Sequence, residues 1–153
     1  MNDAQTPLVG ILSGLATLNS EYAVVVACDM PFAKVQIIEY LLKLGEGFDA
    51  AVPVWPDGLA EPLFAVYNVY RAKEGFEAVL GTGTSSLQRA LESLSHVNYI
   101  SVEELKKFDP NMLSLFNINT EADLQLARML IRNGLADIKS NLRYSNSEEV
   151  IKR

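Results

Sequence analysis

Three short stretches place oxygen-bearing side chains where an open α/β sheet binds its ligands. The first is Cys28-Asp29-Met30-Pro31, directly after the β-branched run Tyr22 to Ala27. A carboxylate at the carboxyl end of a strand can hold a divalent cation, and the cation can bridge phosphate oxygens. A second role is open to Asp29, capping the turn that Pro31 shapes. The next stretch is Phe116-Asn117-Ile118-Asn119-Thr120, followed by Glu121 and Asp123. Alternation along an extended segment puts Asn117 and Asn119 on one side and Ile118 on the other. Two amide carbonyls beside a helix N-terminus make a metal or ribose site, or else Asn119 and Thr120 only begin the helix. The third is Glu61-Pro62-Leu63-Phe64, where Glu61 either meets substrate at a loop-to-strand boundary or is a solvated edge charge.

Other candidates fail on context. Gly81-Thr82-Gly83-Thr84-Ser85-Ser86 has the composition of a phosphate cradle, but it lies between two expected helices with no strand feeding it. It reads as an interhelical turn with an N-cap at Ser85 or Ser86. One cysteine and one histidine exclude a disulfide and a zinc site built from Cys and His. His96 would be the sole histidine for a Ser-His-Asp arrangement, and no nucleophile elbow accompanies it.

Elements at these positions must hold the side chains. Leu8 to Leu18 has helical apolar spacing, with Gly10 and Gly14 placed to let the helix lie close to a strand. Tyr22 to Ala27 lacks alternation and is expected to be a strand buried on both faces. A helix over Lys34 to Lys43 leads to strands at Asp49 to Trp55 and Pro62 to Tyr67, separated by the turn Pro56-Asp57-Gly58. Helices follow at about Val69 to Leu80 and Leu87 to Leu94, then short strands at Val97 to Val102 and Leu115 to Ile118. Thr120 and Asp123 form a capping-box pattern for a last helix ending near Gly134. Strands alternating with helices predict βαβ units around a mostly parallel sheet, an α/β fold. Residues 1–134 are read as one domain and 135–153 as a loose polar tail.

Composition narrows the classes. The 153 residues carry a net charge of −6, which disfavours a general nucleic-acid binder. No apolar stretch is long enough to span a membrane. No Lys or Arg precedes Lys34, so a signal-peptide n-region is absent and a cytoplasmic location is expected.

Together the stretches resemble the molybdenum cofactor guanylyltransferase family (molybdopterin-guanine dinucleotide biosynthesis protein A). Thr6-Pro-Leu-Val-Gly-Ile11, Cys28-Asp-Met-Pro31, Glu61-Pro-Leu-Phe-Ala-Val-Tyr67, and Asn117-Ile-Asn-Thr120 with Asp123-Leu124 occur in the family's order, over roughly residues 3 to 130. The resemblance implies a Rossmann-like nucleotidyltransferase fold that binds GTP and Mg2+ and transfers GMP to molybdopterin, releasing pyrophosphate. By motif, Asp29 and Asn119 would be metal ligands. Pro7, Leu8 and Gly10 would lie on the nucleotide side, with Asp3 as an upstream contact, and Asn117 and Glu61 would meet substrate.

One departure shapes the expectation. The family opens with a strand and a Gly-rich loop bearing an Arg and a Lys that cradle the triphosphate, and no segment here matches them. Losing about four hydrogen bonds to charged groups costs at least about 6 kcal/mol, some four powers of ten in affinity. The chain alone is therefore expected to be an impaired enzyme. It is also expected to leave an apolar sheet edge open to an N-terminal partner chain or to another copy. Two alternatives stay open: a related enzyme with another acceptor (cobinamide phosphate, cytidylylation of molybdopterin, a sugar phosphate), and a non-catalytic remnant acting as an interaction module.

Overall fold

The computed structural model describes residues 6–135, so Asp3 and residues 136–153 of the expected tail lie outside the described residues. Its helices are α1 (Pro7–Leu15), α2 (Val35–Gly45), α3 (Val69–Gly81), α4 (Leu87–Glu92), α5 (Val102–Leu105) and α6 (Glu121–Arg132). Its strands are β1 (Tyr22–Val26), β2 (Ala50–Val54), β3 (Phe64–Asn68) and β4 (Val97–Ser101), in the spatial order β1-β3-β2-β4.

The two central strands divide their side chains between two cores, as strand alternation requires. Ala50, Val52, Ala65 and Tyr67 point to one face, where Leu8 and Leu12 of α1, Phe76 of α3 and Leu91 of α4 cover them. Ala51, Phe64 and Val66 point to the other, against Ile37 and Leu41 of α2 and Leu105 of α5. The result is a three-layer α/β/α sandwich. The Tyr67 hydroxyl, buried among these side chains, donates to the Pro62 carbonyl at 2.7 Å.

Three strands run in one direction and β3 opposes them. β3 pairs antiparallel with β1 and β2, while β2 pairs parallel with β4. The physical reason is the connection between β2 and β3. Residues 55–63 carry no helix, and a parallel neighbour needs a crossover of a dozen or more residues. Gly58, at φ +88°, completes the turn that Pro56 and Asp57 open.

The segment expected as a strand at Leu115 to Ile118 is not one. Met112 adopts a left-handed conformation, Leu113–Leu115 form a 3-10 turn, and Phe116 onward is extended without a ladder. Its apolar alternation serves another end, packing Phe116 and Ile118 with Phe32 and Ala127 beneath α6.

β1 also departs from expectation. It is an edge strand, and Val24 and Val26 are each 38% exposed, so it is not buried on both faces. Gly10 and Gly14 do not bring α1 against a strand, since a Cβ at either position would meet nothing within 4 Å. Among the described residues, no helix is long and apolar enough to cross a membrane.

Candidate functional site

Because β3 opposes the other strands, its amino end lies beside the carboxyl ends of β1, β2 and β4. Asp29 and Glu61 therefore share one end of the sheet. β1 leads into a tight turn in which the Ala27 N–H donates to the Leu63 carbonyl at 2.8 Å and the Met30 N–H to the Ala27 carbonyl at 3.2 Å. Met30 and Phe32 are buried on either side of Pro31 and fix the turn that presents Asp29.

The Ile118 N–H donates to the Asp29 carbonyl at 2.9 Å, which brings the Asn117-Ile118-Asn119 segment alongside. Asp29 Oδ1 and Asn117 Oδ1 are both buried and neither has a hydrogen-bond partner. A buried acceptor left unpaired costs roughly 1–3 kcal/mol, and more when it is charged. Two such oxygens on hydrogen-bonded neighbouring segments are suited to a hard cation, for which carboxylate and amide carbonyl oxygens are the preferred ligands. Among the described residues no group of three or more His, Cys, Asp or Glu converges to hold a metal. Asp29 and Asn117 together fit a hard divalent cation of the Mg2+ kind, one that takes one or two protein oxygens and fills its other positions with water and phosphate.

Asn119 is exposed, and its backbone N–H donates to Asp123 Oδ2 at 3.1 Å. It belongs to the capping box of α6, where Thr120 Oγ1 accepts from the Asp123 N–H at 3.2 Å. The Thr120 hydroxyl and the Asn119 and Thr120 N–H groups hold the Asp123 carboxyl below its ordinary range. The buried, unpartnered amide oxygen therefore belongs to Asn117, and Asn119 stands at the rim.

Glu61 is committed on one side. The Trp55 indole N–H donates to its Oε1 at 2.6 Å, and its own N–H donates to the Pro53 carbonyl at 2.9 Å. Leu8 is fully buried in the core, backbone included, so it seats α1 on the sheet and does not face a ligand. Pro7 and Gly10 line an open trough of about 650 Å³ between α1 and the edge of β1 that is unpaired among the described residues, and Asp29 lies along it. The trough is mainly apolar, and among the described residues its walls carry no Lys or Arg.

Gly81 to Ser86 forms the expected turn between α3 and α4, with Ser86 Oγ accepting from the Arg89 N–H at 3.4 Å. His96 is exposed at the opposite end of the sheet, where its backbone N–H donates to Asp49 at 3.0 Å. Sequence reasoning missed a polar cluster beside the site. Lys34, Asp109 and Ser114 join segments that are 75 to 80 residues apart, and no local pattern could have paired them.

Comparison with known proteins shows the family to which this fold belongs. Residues 1–98 match the model of the MobA-like NTP transferase domain. A probable molybdenum cofactor guanylyltransferase of Methanosarcina mazei is 37% identical over 119 residues, covering 78% of this chain and 53% of the relative. The molybdenum cofactor guanylyltransferase of Desulfosudis oleivorans is 36% identical over 133 residues, covering 86% and 64%. The chain thus spans between about half and two thirds of the length of these curated relatives.

Among solved structures, the molybdopterin-guanine dinucleotide biosynthesis protein A of Archaeoglobus fulgidus superposes with a TM-score of 0.75 at 37% identity, covering 84% of this chain and 64% of that one. The 2-C-methyl-D-erythritol 4-phosphate cytidylyltransferase of Thermus thermophilus, at 18% identity and a TM-score of 0.62, shares the fold alone. The oxygens at the carboxyl end of β1 sit in a fold whose relatives transfer nucleotides, and the chain belongs to the MobA-like NTP transferase family.

Proposed function

We propose that this chain carries the metal-binding part of a guanylyltransferase that moves GMP from GTP to molybdopterin with release of pyrophosphate. The observation that carries the reading is the pair of buried, unpartnered oxygens on Asp29 and Asn117. Asp29 and Asn117 would hold Mg2+, which supplies charge neutralisation and a bridge to phosphate oxygens. Asn119 stands at the rim as a further ligand or phosphate contact. Pro7 and Gly10 present α1 to the nucleoside, Leu8 anchors that turn of the helix in the core, and Glu61 orients the acceptor from the far side of the turn. The domain that does this is residues 1–134.

Electrostatics supports a cation at this point. The chain carries a net charge of −6, and Lys34, the nearest cation in sequence to Asp29, is bound to Asp109 at 3.0 Å. A triphosphate would meet repulsion here without a metal. The trough beside the open edge of β1 carries no Lys or Arg among the described residues, so a triphosphate there would rely on the cation to offset its charge. The same open edge favours a second reading, in which the chain is an interaction module that pairs through β1 and binds no nucleotide.

Titration calorimetry of Mg-GTP into the chain and into Asp29→Ala separates the two. Micromolar binding that the substitution abolishes supports the enzyme reading. Absence of heat with both proteins, together with a stable dimer in sedimentation, overturns it in favour of the module.

A further inference from the structure

We infer that Lys34, Asp109 and Ser114 form a positioning latch that sets the Asp29 and Asn117 oxygens against each other. The inference rests on the reading of those oxygens as a cation site. The segment carrying Asn117 has no strand ladder, and its one backbone hydrogen bond to the Asp29 turn is Ile118 N–H to Asp29 carbonyl at 2.9 Å. A single such bond does not fix an extended segment, so its place depends on how its ends are held. The capping box of α6 holds the end at Asn119 and Thr120.

The other end is held by buried polar groups. Asp109 is 1% exposed, and its two carboxylate oxygens face different segments. Oδ1 accepts from Lys34 Nζ at 3.0 Å and Oδ2 from the Ser114 N–H at 2.7 Å. Lys34 Nζ also donates to the Phe108 carbonyl at 3.3 Å. Ser114 Oγ accepts from the Lys34 N–H at 3.2 Å and donates to the Phe32 carbonyl at 3.3 Å. The cluster thus joins the 108–114 loop to the 32–34 segment that continues from the Asp29 turn. The loop needs such an anchor because it turns through a left-handed Met112 and a short 3-10 turn, neither of which is self-supporting.

A fold-stabilising contact and a positioning latch predict different readouts. Lys34→Met leaves the Asp109 charge buried and unpaired, so the double variant Lys34→Met/Asp109→Asn, which keeps an acceptor for the Ser114 N–H, is its companion. Both are compared with Lys106→Met, which breaks an exposed ion pair to Glu103. Hydrogen exchange at the Ile118 amide is expected to speed up at least tenfold in both latch variants. The Val66 amide in the central sheet is expected to keep its protection. Binding of Mn2+, followed by electron paramagnetic resonance on the full chain, is expected to weaken about tenfold, with Lys34→Arg restoring it.

Unchanged Ile118 exchange in both latch variants overturns the latch whatever the metal does. Faster Ile118 exchange with undiminished Mn2+ affinity also overturns it, because the cluster would then be holding a loop that the site ignores. Should the wild-type chain take up no Mn2+, the cation reading fails by itself. The Ile118 amide then still decides whether these residues set the segment against the Asp29 turn.

Discussion

Two aspartates at opposite ends of the sheet are treated in opposite ways. Asp49, just before β2, is buried with both oxygens bonded. Its Oδ1 accepts from Arg71 Nη1 at 2.7 Å, and its Oδ2 accepts from the Ser95 and His96 N–H groups at 3.0 Å each. Asp29, just after β1, has a buried oxygen with no partner. The first carboxylate ties α3 and the loop after α4 to the sheet and has nothing left to offer a ligand. The second holds an unmet electrostatic demand at the end where α/β sheets bind their ligands. Burial of a charge therefore says little about its role until its hydrogen bonds are counted.

The comparison is tested most strongly at Asp49. Asp49→Ala strands two amide donors and the half-exposed Arg71, and is expected to cost about 3 kcal/mol of unfolding free energy in urea titration. Burial alone would raise the Asp49 carboxyl, but the Arg71 hydrogen bond and charge and the His96 and Ser95 N–H groups outweigh it and hold the carboxyl below its ordinary range. A folded-state value below the unfolded one gives stability that is complete above roughly pH 4 and is lost as pH falls through the lowered value. Asp49→Asn is expected to flatten that acid limb.

Asp29→Ala should do the reverse. Unfolding free energy is expected to stay level or rise by up to about 1 kcal/mol, because no hydrogen bond of the side chain is lost. Mn2+ affinity is expected to fall at least tenfold, about 1.4 kcal/mol. A larger loss of stability at Asp29 than at Asp49 would break the comparison.

Thr120→Ala removes the α6 cap beside Asn119 and is expected to cost about 1 kcal/mol in the same titration, a cost that shrinks as pH falls through the lowered Asp123 value, because the hydroxyl that bonds that carboxylate is gone. The smallest effect belongs to the open edge of β1. Val24→Lys is expected to change stability by about 0.5 kcal/mol or less, and to abolish any pairing through that edge as read by sedimentation.

What was legible in the sequence follows the range of the interactions. The α6 cap is written in Thr120 and Asp123, three residues apart, and the helices announce themselves by apolar spacing. The opposed direction of β3 is readable too, since the turn at Pro56 to Gly58 leaves no room for a crossover, although the alternation of strands and helices points the other way. The Phe116 and Ile118 alternation misleads because apolar period alone does not distinguish a strand from an extended segment packed under a helix. Asp29 is visible from its place after a β-branched run. That the buried acceptor beside it is Asn117, with Asn119 at the rim, depends on a backbone bond between Ile118 and Asp29 that no local pattern encodes.

The bond between Trp55 and Glu61 has an optical consequence. Trp55 is the chain's one tryptophan, and its indole N–H is held by a carboxylate at 2.6 Å, at the same end of the sheet as Asp29. A molecule that takes Glu61 Oε1 competes for that proton, and one bound at Oε2 changes the charge beside the excited indole. The emission of the unlabelled protein is thus expected to report whatever disturbs the Glu61 carboxylate, spectrally separate from the tyrosines.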